Sequence, residues 1–216
     1  MFSSDSTLDK KTEKKTGSSR DPLRTRALLL NTAFAEVYRS SFQATGLDRI
    51  LKKAKVTKGA LYHHFASKEE LGYAIVDEVI TGITLRKWVN PLADTADAID
   101  TLIDIVQGTS LSATDVEKGC PLNNLAQEMS PVDEGFRKRV GQVFRLMIGS
   151  VSSALLEGQK RGHVRPEIDP EETATFFIAT YEGYLGLAKN AQDPGVLRSG
   201  IRTMTSYLEG LRTRHA

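Results

Sequence analysis

ATGLDRILKKAKVTKGALYHHFASKEEL, residues 44–71, reads as a helix, a tight turn, a second short helix and the capped start of a third. Ile50 and Leu51 give the first of these helices its buried side, and Ala54 is small enough for close packing. Lys55 and Val56 form the turn. Thr57 stands as an N-cap, because its hydroxyl can accept from a backbone N–H that the first helical turn leaves unpaired. Leu61 and Phe65, four apart, anchor the short helix to a core. The opposite face carries Lys58, Ala60, Tyr62, His63 and His64, which gathers positive charge and donors where a phosphate would lie. A short, exposed, basic helix after a tight turn suits a DNA major groove.

Thr45, Ile50, Ala54, Val56, the pairs Lys58-Gly59, Leu61-Tyr62 and His64-Phe65, Lys68 and Leu71 stand at fixed spacing. In that spacing the stretch resembles the DNA-binding motif of the TetR family of bacterial transcriptional regulators. Residues 22–81 as a whole are similar to that family's three-helix N-terminal domain. One departure is Lys55, where many members carry Gly; the turn then needs backbone angles open to a non-Gly residue. The resemblance implies phosphate contacts at Tyr62, His64 and Lys68, with His63 a further candidate. Thr57, Lys58 and Ala60 are placed for base edges: Lys donates to guanine acceptors, while Ala and the Thr methyl meet a thymine methyl. Gly59 permits close backbone approach. Thr45 reads as a helix cap, at a position near which the family also contacts phosphate. Packing is the alternative for Tyr62, and plain solvent exposure is the better reading of Lys52 and Lys53.

Charge is distributed in the same sense. The net charge is +2, but residues 21–66 hold eight basic and three acidic side chains, and residues 67–216 hold sixteen and twenty-one. A nucleic-acid partner is therefore expected for the first part only. Residues 1–20 are polar, with five basic and three acidic side chains, and read as a flexible arm. No run of about 18 apolar residues and no apolar leader appear, so no membrane span or secretory signal is expected, and the cytoplasm is the default compartment. A single cysteine, Cys120, excludes an internal disulfide.

The remainder announces one helix after another. Asp21-Pro22, Asn90-Pro91, Cys120-Pro121, Ser130-Pro131, Asp169-Pro170 and Asp193-Pro194 each place a capping-type residue before a proline, which is tolerated at the first helical position. Strand-like alternation is absent. The expectation is an all-α protein of about nine helices: a flexible arm at 1–20, a helix-turn-helix DNA-binding domain at 21–81, and an effector-binding and dimerisation domain at 82–216. The first helix runs from about Pro22 to Ser40 with an apolar stripe of Leu28, Leu29, Ala33, Phe34 and Val37. A fourth starts at Ser67 and continues towards Trp88. Others cover about 95–111, a short stretch after Cys120, about 130–161 ended by Gly162, then 170–190 and 194–213.

The helix after Pro170 is apolar around much of its circumference, and Ala179, Gly183 and Gly186 form a small-residue stripe on it. Each Gly costs about 1 kcal/mol against Ala, so a packing benefit is expected. Ile201, Met204 and Leu208 mark the last helix. Two such helices from each subunit would make the four-helix homodimer interface that the resemblance implies; intrachain core is the alternative. A dimer would set two recognition helices one turn of DNA apart on a palindromic operator.

The resemblance also implies a pocket for a small-molecule effector in the C-terminal region, and repression as the commoner mode. Candidate lining residues are Trp88, Asn124, Phe144, Met147, Phe177, Tyr181 and Tyr184, for which plain core is the alternative. Cys120 is the sharper candidate. The stretch GCPLNNLAQEMS, followed by DEGFRKRV, looks like a TetR branch that includes regulators of electrophile and aldehyde defence. A helix N-terminus and Lys118 would favour its thiolate; the alternative is a small residue capping a helix. No catalytic residues, cofactor or metal are expected. The four histidines lack zinc-ligand spacing, and no Walker or dinucleotide glycine motif occurs. An architectural or protein-binding role on the same fold remains the rival.

Overall fold

The structure is a computed structural model and describes residues 21–213. Among these the chain is all helical, apart from one antiparallel bridge between Val164 and Arg212. The expected flexible arm, residues 1–20, lies outside the described residues.

α1 (Pro22–Ser40) opens as its sequence announces: Asp21 accepts from the N–H of Leu23, and Pro22 takes the first helical position. Its inner face is Leu29, Leu30, Ala33 and Val37; Leu28 was expected inside but is half exposed, because it lies a further 100° round the helix. α2 (Leu47–Ala54) and α3 (Lys58–His64) complete the first unit. Between them Lys55 adopts a left-handed conformation, φ 53° and ψ 42°. The departure from Gly is thus accommodated at a steric cost of about 1 kcal/mol. Thr57 caps α3 as expected, accepting from the N–H of Ala60.

α4 is one continuous helix over residues 68–93. Ser67 caps it, accepting from Glu70 N–H. Within it α-helical turns at Lys68–Ala74, Thr81–Thr84 and Asn90–Ala93 alternate with wider π turns at Ile75–Ile80 and Leu85–Val89. The second π turn directly precedes Pro91. Pro91 was expected to start a helix, but it lies in the last turn of α4. A proline there has no N–H to give and crowds the carbonyl four residues back, and a widened turn relieves both.

α5 (Ala98–Gln107), α6 (Ala113–Lys118), α7 (Pro121–Met129), α8 (Glu134–Lys160), α9 (Pro170–Ala191) and α10 (Pro194–Glu209) follow. The nine expected helices are all present. The short α6 is an addition; Ser112 caps it by accepting from the N–H of Asp115. Pro131 does not open α8 either: Asp133 does, accepting from the N–H of Phe136. Gly162 ends α8 with φ +76°, as expected.

α8 is the central element, packed against α4, α5, α7 and α9, while α10 covers α9 and α5. One contiguous apolar core runs from Leu29 in α1 to Leu211 beyond α10. The junction between the first unit and the remainder is tight at Gly72. A Cβ there would fall 2.5 Å from both Phe136 Cζ and Phe42 Cε2. Beside it Tyr73 donates to the Asp133 carboxylate at 3.0 Å and packs edge-on to Phe136. Arg26 of α1 holds the same helix further along through a bidentate pair with Glu78.

Candidate nucleic-acid interface and effector cavity

α3 presents its polar residues outward together. Leu61 and Phe65 are fully buried beneath it, while Thr57, Lys58, Gly59, Tyr62 and His63 are exposed and Ala60, His64 and Lys68 are half-buried. Tyr62 is 45% exposed, with the Lys58 ammonium 5.9 Å from its ring centre. Packing therefore does not account for this tyrosine. Among the described residues nothing approaches within 4 Å of a Cβ built on Gly59, so no contact among them asks for glycine there. Lys68 is more constrained: its ammonium lies over the Phe42 ring and donates to the Gln43 carbonyl at 3.4 Å.

Thr45 is a correction. It is 0% exposed, and its hydroxyl lies against the carbonyls of Ser41 at 2.6 Å and Glu36 at 3.3 Å at the end of α1, so it neither reaches phosphate nor caps α2. Gly46 occupies the cap position of α2. The buried threonine instead seals the bend between α1 and α2.

The sequence reading also missed Glu36. This carboxylate is buried in α1 and gathers Arg39, Arg49 and Lys53 around it at 3.0, 2.8 and 2.5 Å. Hydrogen bonds from Lys53 and Arg39 hold its pKa below the ordinary carboxylate value. With Arg26 held by Glu78, four of the eight basic side chains of the first unit are therefore held in place by a partner within the protein. The acid at an otherwise apolar helix position was the signal.

A second site lies behind α4. A cavity of about 230 Å³ is lined mainly by α4, the segment 109–122, α8 and α9. Of the candidate lining residues, Trp88, Cys120, Met147 and Tyr181 do line it. The others do not. Phe177 is buried behind Trp88, their ring centres 6.1 Å apart. Tyr184 fills the space above Gly200 on α10. Phe144 packs against the core. Asn124 is already employed: it donates to the Lys118 carbonyl and accepts from Lys189, both at 2.8 Å.

The sequence reading missed two buried charged groups of this cavity, Lys87 and Glu182. Lys87 donates to the Tyr181 hydroxyl at 2.5 Å and towards Thr109 Oγ1 at 3.5 Å, and burial lowers its pKa. Glu182 is 6% exposed, and among the described residues its Oε2 has no hydrogen-bond partner. Burial pushes its carboxyl up to about 7, opposed by the neighbouring Cys120 thiol and the Lys87 charge. A carboxylate within an otherwise apolar helical run was the available signal.

Cys120 stands at the N-cap of α7 as expected, with Pro121 next, but its side chain makes no capping bond. Burial first, and Glu182 second, push the thiol well above its ordinary value. The expected help from Lys118 does not materialise, since that ammonium lies over the Tyr38 ring. The thiolate is disfavoured here despite the helix N-terminus.

The cavity wall is tied to the first unit at both ends of α7. Just before α7, the Gly119 carbonyl accepts from the Tyr38 hydroxyl of α1 at 2.6 Å. Near its other end, the Glu128 carboxylate accepts from the backbone N–H groups of Phe42 and Gln43 at 2.8 and 2.7 Å.

The small-residue stripe on α9 faces outward. Ala179, Gly183 and Gly186 are exposed, flanked by exposed Phe176 and Leu187, and among the described residues nothing lies within 4 Å of a Cβ built on either glycine. On α10 the expectation needs correction. Met204 and Leu208 are buried in the protomer's own core and Ile201 packs partly against it, because α10 turns its apolar face onto α5 and α9.

Comparison with known proteins supplies the family. The model of bacterial regulatory proteins of the tetR family matches residues 29–75, and that of the tetracyclin repressor-like C-terminal domain matches residues 88–204. The transcriptional regulator AcuR of Cereibacter sphaeroides is 26% identical over 182 residues, covering 81% of each chain. The transcriptional repressor DhaR of Mycobacterium sp. strain GP1 is 26% identical over 149 residues, 66% of this chain and 71% of that one. The crystal structure of the reduced form of Escherichia coli NemR is similar with a TM-score of 0.77 and 25% identity, covering 89% of this chain and 99% of that one. Among the described residues no helix is long and apolar enough to cross a membrane. Helix-turn-helix, helical C-terminal part and matched relatives agree: the chain belongs to the TetR family and is a DNA-binding transcriptional regulator, not an enzyme.

Proposed function

We propose that this regulator is a homodimeric repressor that binds a palindromic operator through residues 57–65 and is released when a small effector enters the cavity behind Trp88. It would act in the cytoplasm, with the division between DNA-binding and effector domains falling near residue 81, inside α4. The observation that carries this reading is the cavity itself. Two of its walls, α4 and the start of α7, are the two elements that hold the first unit in place, through Gly72 and Tyr73 on one side and through Gly119 and Glu128 on the other. A ligand that shifts either wall changes the placement of the reading helix, and such coupling needs differential contact with two arrangements.

Tyr62, His63, His64 and Lys68 are assigned to phosphates, and Thr57, Lys58, Gly59 and Ala60 to the base edges. The dimer is assigned to the exposed α9 stripe of Phe176, Ala179, Gly183, Gly186 and Leu187, with the outer face of α10 beside it. Gly183→Leu, which meets no intrachain obstacle, should keep the protomer folded and raise the dimer dissociation constant at least tenfold in sedimentation. An unchanged dimer removes this stripe.

Of the two release routes considered, noncovalent binding has the support, because the cavity disfavours the Cys120 thiolate. The test is fluorescence anisotropy on DNA from upstream of the protein's own gene. Tyr62→Ala should weaken all sequences by about tenfold, while Lys58→Ala should change sequence preference. A preference unchanged in Lys58→Ala removes that residue from base reading. Wild type and Cys120→Ser should respond equally to a thiol-reactive electrophile; release confined to wild type, and reversed by dithiothreitol, would instead establish a thiol switch.

A further inference from the structure

The chemistry of the cavity's polar groups narrows the class of molecule it can take. Its volume of about 230 Å³ equals the liquid volume of about eight water molecules. Its walls are mostly apolar or aromatic, with Trp88, Leu122 and Met147 prominent. Two polar groups are left over. Glu182 Oε2, nine-tenths buried, accepts from nothing. The Lys87 ammonium has three protons and two partners, Tyr181 and Thr109.

Several other polar groups of the wall are already engaged. Asp115 accepts from the hydroxyls of Ser110 and Ser112 at 2.6 and 2.8 Å. Thr109 and Tyr181 hydroxyls lie 3.0 Å apart. Tyr38 donates to Gly119. Asp115 stays ionised, since the Ser110 and Ser112 hydroxyls favour its charged form, but it is exposed and water screens it. Lys87 and Glu182 are therefore the buried opposed charges that face the cavity. An anion or cation entering would leave one buried charge uncompensated, which is costly. A neutral molecule leaves the pair balanced. Burial drives both groups towards their neutral forms, and a COOH–NH₂ pair would still offer one donor and one acceptor.

We propose that the cavity takes a small uncharged molecule of about ten non-hydrogen atoms, with an apolar body, a hydrogen-bond donor for Glu182 Oε2 and an acceptor for Lys87. The proposal rests on the effector reading above and adds the ligand's class. A buried polar site of this kind discriminates strongly against an analogue that leaves its groups unpaired.

Trp88 is the only tryptophan of the chain and stands in the cavity wall, so its fluorescence reports occupancy with no DNA present. The full-length protein is titrated with four near-isosteric probes, by Trp88 fluorescence and by calorimetry. They are 4-hydroxybenzyl alcohol (neutral, with donors), 4-hydroxybenzoate (anion), 4-hydroxybenzylamine (cation) and 4-methylanisole (neutral, no donor). The neutral donor should bind at least tenfold tighter than each of the other three. Glu182→Leu should erase its advantage over 4-methylanisole, and Lys87→Met should weaken it while keeping the preference for a donor. Glu182→Gln, which stays polar, serves if the leucine variant does not fold. Preferred binding of either ion, equal binding of 4-methylanisole, or no binding of any probe at millimolar concentration overturns the proposal. The same probes are then added to the DNA complex. Binding in the expected order without release of DNA would keep this ligand class and reject the effector reading; release by an ion alone would do the reverse.

Discussion

The reading helix and the cavity both keep polar groups without intrachain partners, but in opposite surroundings. On α3 the groups are in water, where an unmade hydrogen bond costs little, and Tyr62 or Lys58 can wait for a partner at no expense in stability. In the cavity Glu182 waits in a place where the same omission is expensive. The first arrangement suits a partner that is always at hand and supplies its own strong field, as DNA does. The second stores an unfavourable state that a matching ligand relieves. The difference says which end of the molecule is poised to change.

Three substitutions would break or sharpen that contrast. The largest effect is expected at the junction between the two regions. Gly72→Ala puts a methyl 2.5 Å from the Phe42 and Phe136 rings, both in the core, and should cost about 3 kcal/mol in urea denaturation. A cost below about 1 kcal/mol would mean that the two regions are not rigidly joined there.

The next largest effect is expected at Glu182. Its folded pKa of about 7 lies above the ordinary value of 4.5, so the folded state holds a proton that the unfolded state has lost between those values. Stability from this group therefore falls as pH rises from about 4.5 to about 7, by up to about 3 kcal/mol, and stays low above that. The groups beside it, Lys87, Tyr181 and Cys120, are unchanged in Glu182→Gln. Wild type minus variant, from denaturation across pH 4 to 8, should fall through that window. A flat difference would show that the carboxyl is solvated and the cavity not poised.

The smallest effect is on the reading side. Lys55→Gly removes a side chain from a left-handed residue at φ 53° and should stabilise the protein by about 0.5–1 kcal/mol, after the added freedom of the unfolded chain. Destabilisation would mean that the lysine side chain has a structural role the geometry does not reveal.

The reading helix was legible in sequence because its determinants are local: a cap at Thr57, a turn, and two anchors four apart. Thr45 was misread for the complementary reason. Whether a threonine caps the next helix or bonds back to the Ser41 carbonyl depends on how the α1–α2 bend closes, which no local pattern specifies. The cavity was half legible. Aromatic residues at helical spacing named Trp88 and Tyr181 but equally named Phe177 and Tyr184, which are core and packing. Lys87 and Glu182 lie 95 residues apart and acquire meaning only when α4 and α9 meet across α8. The stripe proposed for the dimer was visible on α9, where small residues stand out, and not on α10, where Met204 and Leu208 follow an amphipathic pattern that fits an inner face as well as an outer one. The π turns of α4 left no mark in the apolar periodicity, although Pro91 gave the position of one of them.

The most direct test of the account is the affinity of the purified protein for DNA from upstream of its own gene against random DNA of equal length, by fluorescence anisotropy at one fixed salt concentration. The account predicts a preference of at least about a thousandfold for a palindromic segment of the upstream DNA. Equal affinity for both, with the expected salt dependence of phosphate contacts alone, would contradict a sequence-reading regulator at this site and leave an architectural role on the same fold.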